Sequence, residues 1–243
     1  MWLRSLQDDR FLFLVSSESD DTKGSRLLLN LTKIIIKIIF FPLRMNYTIV
    51  IGSHRAESQS TKVGSYIANQ LKSTKSNNVT LLDLRQNPLP LWDESAWQRG
   101  SKLQKVWKPY ATKLSSCQAL IVISPEWGGM VPAGLKNFFL YCGKTVAHKP
   151  ALIVAISASR GGAYPIAELR MSSYKNIYLN YIPEHIIIRN VENVLNDTSL
   201  HEDKSDLYIK NRIIHALGLL EGYGKALQGI AALHDFEKYP YGM

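Results

Sequence analysis

The sequence predicts a three-layer α/β/α sandwich built on a parallel sheet. Three observations carry that expectation. From Met45 onward, short apolar runs alternate with segments whose apolar residues recur at helical spacing. The short runs are nearly all apolar rather than apolar on alternate residues, as expected of strands covered on both faces. Five such runs separated by helices imply parallel βαβ units with right-handed crossovers.

The elements follow in order. Tyr47–Ile51 is the first strand, and Val63, Ile67, Ala68 and Leu71 mark the helical face of 61–73. The second strand is 79–84, followed by a loop over 86–97 carrying Pro88 and Pro90. Residues 102–116 read as a helix that Pro109 should kink or restart. The third strand is 119–124. A helix opened by proline in its first turn covers 132–142. Strand four spans 151–157, a helix 166–179, a short fifth strand 185–189, and the final helix or helices lie within 204–232. The number of units fits the flavodoxin-like strand order 2-1-3-4-5, in which ligands bind between the ends of strands one and three.

Residues 1–44 break from this pattern. They carry seven Lys/Arg and five Asp/Glu, and Leu27–Leu43 is apolar but interrupted by Asn30, Lys33 and Lys37. That is too short and too charged for a membrane-spanning helix. It begins too deep for a secretory signal and lacks a small-residue cleavage site. Two domains are therefore expected: an extension over 1–44 outside the fold, with Met45 the natural start, and a flavodoxin-like unit over 45–243. The alternative for 1–44 is a membrane-surface anchor. A cytoplasmic location is expected.

The net charge is +9, of which +7 belongs to residues 45–243. The basic residues there are scattered rather than clustered, which argues against nucleic acid and suits an anionic small ligand. Cys117 and Cys142, both on segments read as helices, are expected to be reduced and buried. No CxxC, HExxH or clustered histidine pattern occurs, so no metal is expected.

Three loops at the carboxyl edge of such a sheet carry unusual chemistry. The first, Gly52–Thr61, is rich in hydroxyls, holds Arg55 and feeds a helix N-terminus. Free amides, the helix dipole and serine hydroxyls make a phosphate cradle, although an ordinary serine cap has the same sequence. The second, Ser124-Pro125-Glu126-Trp127-Gly128-Gly129, offers an aromatic ring and close backbone approach, although a tight strand-to-helix turn explains the glycines equally. The third, Ser157–Tyr164, has the small residues that admit a ligand, or that make a flexible connector. No GxGxxG or GxxxxGK[ST] is present.

These residues resemble the NADPH-dependent FMN reductases, a group that includes chromate, azo and quinone reductases. Gly52, Ser53, Arg55, Ser58 and Ser60 are similar to its phosphate loop. Pro125, Glu126, Pro132, Ala133, Leu135, Lys136 and Asn137 match its strand-three signature. The strand-four loop resembles its Ser-x-x-x-x-Gly-Gly segment, and Asp83 and Leu89-Pro90-Leu91-Trp92-Asp93 resemble its second-strand features. Trp127 and Gly128 depart from the usual Tyr-Asn.

The resemblance implies FMN as cofactor and NADPH as hydride donor, with the phosphate on Ser53, Arg55, Ser58, Gln59 and Ser60. It implies that the flavin ring lies against Pro125, Glu126, Trp127 and Gly128, and that Ser157, Arg160, Gly161 and Gly162 border its other edge. Hydride would pass from nicotinamide to flavin and on to a flavin, quinone or similar acceptor. No side chain is nominated as catalytic, because the cofactor carries the chemistry. Glu126 is expected to be structural and His54 a solvent-facing polar residue. Lys136 and Asn137 are expected to secure the helix start or a subunit contact, and Phe138 and Phe139 to belong to the core or an interface. A homodimer or homotetramer is implied. A non-enzymatic electron carrier and a binder of a phosphorylated metabolite are the competing classes. Bound FMN without NAD(P)H oxidation would mark the first, and indifference to FMN the second.

Overall fold

The computed structural model describes residues 44–75, 77–86, 88–196 and 204–242. The extension expected over residues 1–44 lies, apart from Arg44, outside the described residues.

The sheet has five parallel strands in the order 2-1-3-4-5. The strands are β1 (Asn46–Ile51), β2 (Asn78–Asp83), β3 (Ala119–Pro125), β4 (Pro150–Ile156) and β5 (Asn180–Ile188). The helices are α1 (Gln59–Lys75), α2 (Lys102–Ser115), α3 (Ala133–Cys142), α4 (Ala163–Ser172) and α5 (Lys204–Ala226).

Each central strand alternates its side chains between two apolar layers. Tyr47, Ile49 and Ile51 of β1, Ile121 and Ile123 of β3, and Leu152 and Val154 of β4 face Val63, Ile67, Ile213 and Leu220 of α1 and α5. Val50, Leu120, Val122 and Ile153 face Leu114, Leu135, Phe138 and Leu169 of α2, α3 and α4. Phe138 and Phe139 are thus buried, in the core layer rather than on the surface. Cutting any of these large side chains to alanine would cost about 2–5 kcal/mol.

Several expected boundaries move, each for a local reason. Helix α2 runs through Pro109 without a break. Helix α4 stops at Ser172 rather than near 179: Ser172 and Ser173 turn their hydroxyls back onto the carbonyls of Glu168 and Leu169 (2.7 and 2.9 Å). Such back-bonding competes with helix propagation. Strand β5 begins five residues before the expected 185, and its register against β4 shifts between Ala151 and Ile153. Pro183 sits at that irregularity, which hides the strand from a periodicity reading. Cys117 falls just after α2 rather than within a helix, and Cys142 ends α3; both are buried free thiols. Burial pushes both thiols up in pKa. No described helix is long and apolar enough to cross a membrane.

Candidate active site

The loops after β1, β3 and β4 lie side by side at the carboxyl edge, because β1, β3 and β4 are neighbours in the sheet. All thirteen expected site residues fall on these loops or on the strand and helix ends that bound them.

The loop after β1 starts tightly. The Gly52 amide donates to the Ile123 carbonyl at 2.9 Å, and a Cβ at Gly52 would stand 2.7 Å from Leu135 Cδ2. Ser53 Oγ accepts from the Arg55 amide at 3.3 Å. Ser58 caps α1, its Oγ accepting from the Thr61 amide at 3.3 Å. The first-turn amides of Gln59 and Ser60 have no acceptor among the described residues, as is usual at a helix start. Gln59 Oε1 is buried with no hydrogen-bond partner among the described residues. Ser53 and Ser60 are each only 2% exposed and form the floor of the loop, while Arg55 stands at its exposed rim. The exposed His54 is not loose: its ring lies on the first turn of α3, where a Cβ at Gly134 would meet Cε1 at 2.0 Å.

Three residues outside the expected set brace this loop and the helix it feeds. Arg85, just after β2, donates from Nη1 to the Ala56 carbonyl at 2.7 Å, and its Nε is buried with no acceptor among the described residues. Asp83 accepts from Thr61 Oγ1 at 3.2 Å and from the Arg85 amide at 3.0 Å. Lys62, in the first turn of α1, donates to the carbonyls of Val191 and Val194 and to Asn196 Oδ1 (2.7, 2.9 and 2.8 Å). Burial holds its ammonium below the usual lysine range, partly offset by Glu192 and Asp206.

The loop after β3 is a tight reversal. Trp127 and Met130 exchange both backbone hydrogen bonds (3.1 and 3.0 Å), with Gly128 and Gly129 between them at φ +57° and +75°. Positive φ at both central residues is what a type I′ turn demands, and glycine and asparagine adopt it most cheaply. The departure at Gly128 therefore keeps the backbone requirement while dropping a side chain. Glu126 reaches across to the next loop and accepts from the Gly162 amide at 2.5 Å.

Glu168 of α4 anchors the far side, accepting from the Val131 amide and from Lys136 Nζ, both at 2.7 Å. Burial alone would raise its carboxyl. The bonds from Lys136 and Val131 and the lysine charge outweigh burial and hold it below the usual glutamate range. Lys136 thus ties α3 to α4. Asn137 instead holds the Leu89–Trp92 run, accepting from the Trp92 amide at 2.9 Å and donating to the Pro90 carbonyl at 2.8 Å. Neither contact had a local signal, since the partners lie 32 and more than 40 residues apart.

The loop after β4 is equally fixed. Ser157 Oγ accepts from the amides of Ser159 and Gly161, both at 3.1 Å. Gly162 takes φ +105° at the start of α4, where a Cβ would stand 2.5 Å from Ile187. A Cβ at Gly161 would stand 2.7 Å from Glu126 Oε1. Among the described residues no group of His, Cys, Asp and Glu could hold a metal ion.

The arrangement suits a phosphorylated, partly flat ligand: unpaired amides and an arginine at one end, and backbone loops with an indole and no crowding side chains at the other. The model of one protein family, described as NADPH-dependent FMN reductase, matches residues 45–192. No curated protein sequence matches the chain. Among solved structures, the flavoenzyme NAD(P)H:(acceptor) oxidoreductase FerB from Paracoccus denitrificans superposes with a TM-score of 0.54 at 15% identity, covering 76% of this chain and 97% of that one. An NAD(P)H:quinone oxidoreductase from Methanothermobacter marburgensis gives 0.54 at 16% identity, over 73% and 98% of the two chains. The apo form of an NADH:FMN oxidoreductase gives 0.53 at 16%, over 76% and 91%.

Proposed function

Because this chain belongs to the NADPH-dependent FMN reductase family, we propose that it binds FMN at the three-loop edge and uses NAD(P)H to reduce a flavin, quinone or similar acceptor. The observation that supports the reading most is how the three loops are joined. The Gly52 amide ties the first loop to the end of β3 through the Ile123 carbonyl, Ser58 caps the helix that follows, and the Glu126 carboxylate joins the second loop to the third through the Gly162 amide. That places an anion-binding helix start and a wall for a flat ring on one rigid edge.

The residues present fit the group. The orphaned Gln59 Oε1 and the unpaired amides beside it stand where polar ligand atoms would be taken up. Arg55 supplies a charge-assisted fork for the phosphate, with Ser53, Ser58 and Ser60 beneath it. Pro125, Glu126, Trp127 and Gly128 would hold the ring through backbone groups, with Ser157, Arg160, Gly161 and Gly162 along its other edge. When bound, FMN supplies the hydride and electron chemistry. The protein's part is to orient, and the left-handed Gly128-Gly129 turn keeps that wall free of side chains that would crowd a second flat ligand.

A second copy of the chain is the proposed partner. Leu140 and Met171, on α3 and α4, are 59% and 77% exposed. A groove of about 470 Å³ is lined by Trp97, Phe139, Leu140 and Tyr241, with Lys136 and Lys175 also in its lining. Exposed apolar patches of this kind mark interaction surfaces. Native mass measurement checks it; a monomer at micromolar concentration contradicts it.

The primary test is the visible spectrum of the purified protein, followed by NADPH titration with a panel of acceptors. A yellow protein that oxidises NADPH with a quinone or free FMN is expected. Replacing Arg55 and Ser58 together should weaken FMN binding by about 10–100-fold, the value of one or two hydrogen bonds to a charged group. A colourless protein that gains no thermal stability from FMN overturns the reading.

A further inference from the structure

We infer that Arg189 and Arg160 form a two-arginine clamp for the 2′-phosphate of NADPH, and so set preference for NADPH over NADH. The inference rests on the reading above and names which residues choose the donor.

Arg189 follows β5 directly. Its Nε donates to the carbonyls of Arg160 (2.7 Å) and Gly161 (3.1 Å). The guanidinium is therefore pinned to the loop after β4, while its terminal nitrogens are engaged by nothing among the described residues. The loop it grips is itself held, by Ser157 Oγ on the Ser159 and Gly161 amides and by the Asn190 amide on the Ser159 carbonyl at 3.0 Å. Asn190 takes φ +47°, turning the chain sharply just after Arg189. Arg160 is exposed on the same loop.

The charge of the pair is uncompensated. Among the described residues neither arginine forms an ion pair, whereas Lys136, Lys210, Arg212 and Lys225 all do. Glu126, the carboxylate packed on this loop, is already engaged by the Gly162 amide. Four residues after Arg160, Tyr164 leaves its ring 67% exposed in the first turn of α4. A fixed guanidinium, a second arginine on the loop it grips and an exposed tyrosine suit a phosphate attached to a flat base.

Position excludes the flavin phosphate as the intended anion. In the order 2-1-3-4-5, β4 and β5 stand two and three strands from β1, about 10 and 14 Å at the usual strand spacing. The phosphate cradle belongs to the loop after β1. The two arginines are therefore free to take a different anion, and NADPH carries one on the adenosine ribose that NADH lacks.

The test is calorimetric titration of the purified protein with adenosine 2′,5′-bisphosphate and, separately, 5′-AMP, with and without added FMN. Wild type should prefer the bisphosphate by about 10–100-fold, as expected for hydrogen bonds to a charged group. Arg189→Gln and Arg160→Gln should each reduce that preference, and the double variant should bring it to within about threefold, while Arg189→Lys keeps part of it because charge remains without the fork. The ratio of kcat/KM for NADPH and NADH should move with it. A wild type without preference, or a preference that survives the double variant, overturns the inference. A protein that takes no FMN yet shows the arginine-dependent preference overturns the flavin reading and leaves this one standing.

Discussion

Gly134 and His54 illustrate how closely two of these loops are fitted. A methyl group at Gly134 would lie 2.0 Å from His54 Cε1 and 2.1 Å from Nε2, so the ring must leave. Gly134→Ala should destabilise the protein by about 1–3 kcal/mol, the usual cost of overpacking. His54→Ala should relieve most of that cost, so thermal melts of the two single variants and the double variant should be strongly non-additive. Additive losses would mean that the ring already moves freely. The Glu126 carboxylate makes a second such fit. Glu126→Ala leaves the Gly162 amide without its acceptor, at a cost of about 1–3 kcal/mol. Glu126→Gln retains an acceptor oxygen and should recover most of the stability. Equal losses in the two variants would show that charge, not the bond to Gly162, matters.

Elements differ in how far local sequence announces them. The three central strands and the loops after them are legible, because buried parallel strands are almost wholly apolar and their ends carry glycine, proline and serine. The start of β5 is not, since Pro183 and Glu184 interrupt the pattern and only pairing with β4 defines the strand. Nor are the braces from Arg85, Lys62, Glu168 and Arg189, whose side chains meet partners far away in sequence. Long-range polar contacts leave no periodicity to read. One of them gives a pH prediction for the joint between α3 and α4. The Glu168 carboxyl is held below its ordinary pKa of 4.5 in the folded protein. The unfolded chain therefore binds its proton first as pH falls. The stability this contributes is present above pH 4.5 and is lost as pH drops through the lower folded value. Lys136→Met removes the main cause, and its melting temperature should be lower than wild type at pH 7 and converge with it at pH 3. A constant difference across that range would contradict the ion pair's role.

Across the described unit, the C-terminal segment docks on the turn between α3 and β4 through a histidine pair. His234 Nε2 lies 2.8 Å from the Tyr239 carbonyl, and His234 Nδ1 lies 2.8 Å from His148 Nε2. A carbonyl can only accept, so His234 carries its proton on Nε2. Its Nδ1 is then the acceptor, and His148 must donate from Nε2. Phe236 stacks on His234 with centroids 3.9 Å apart, Tyr178 meets the same ring edge-on at 4.5 Å, and Lys144 Nζ holds the Phe236 carbonyl at 3.0 Å. Burial first, and then the neighbouring His234, push the His148 pKa below its ordinary 6.5. The folded state therefore prefers the neutral ring, and the unfolded chain takes up the proton at higher pH. The stability of the clasp is complete above pH 6.5 and falls as pH drops towards the folded value. Melting of wild type between pH 8 and 5.5 should show a decline that His148→Gln, which cannot gain a proton, reduces. A clasp contribution of about 1 kcal/mol corresponds to about 2–4 °C for a chain of this length. The two proteins would run parallel across that range if the histidine pair did not close the fold.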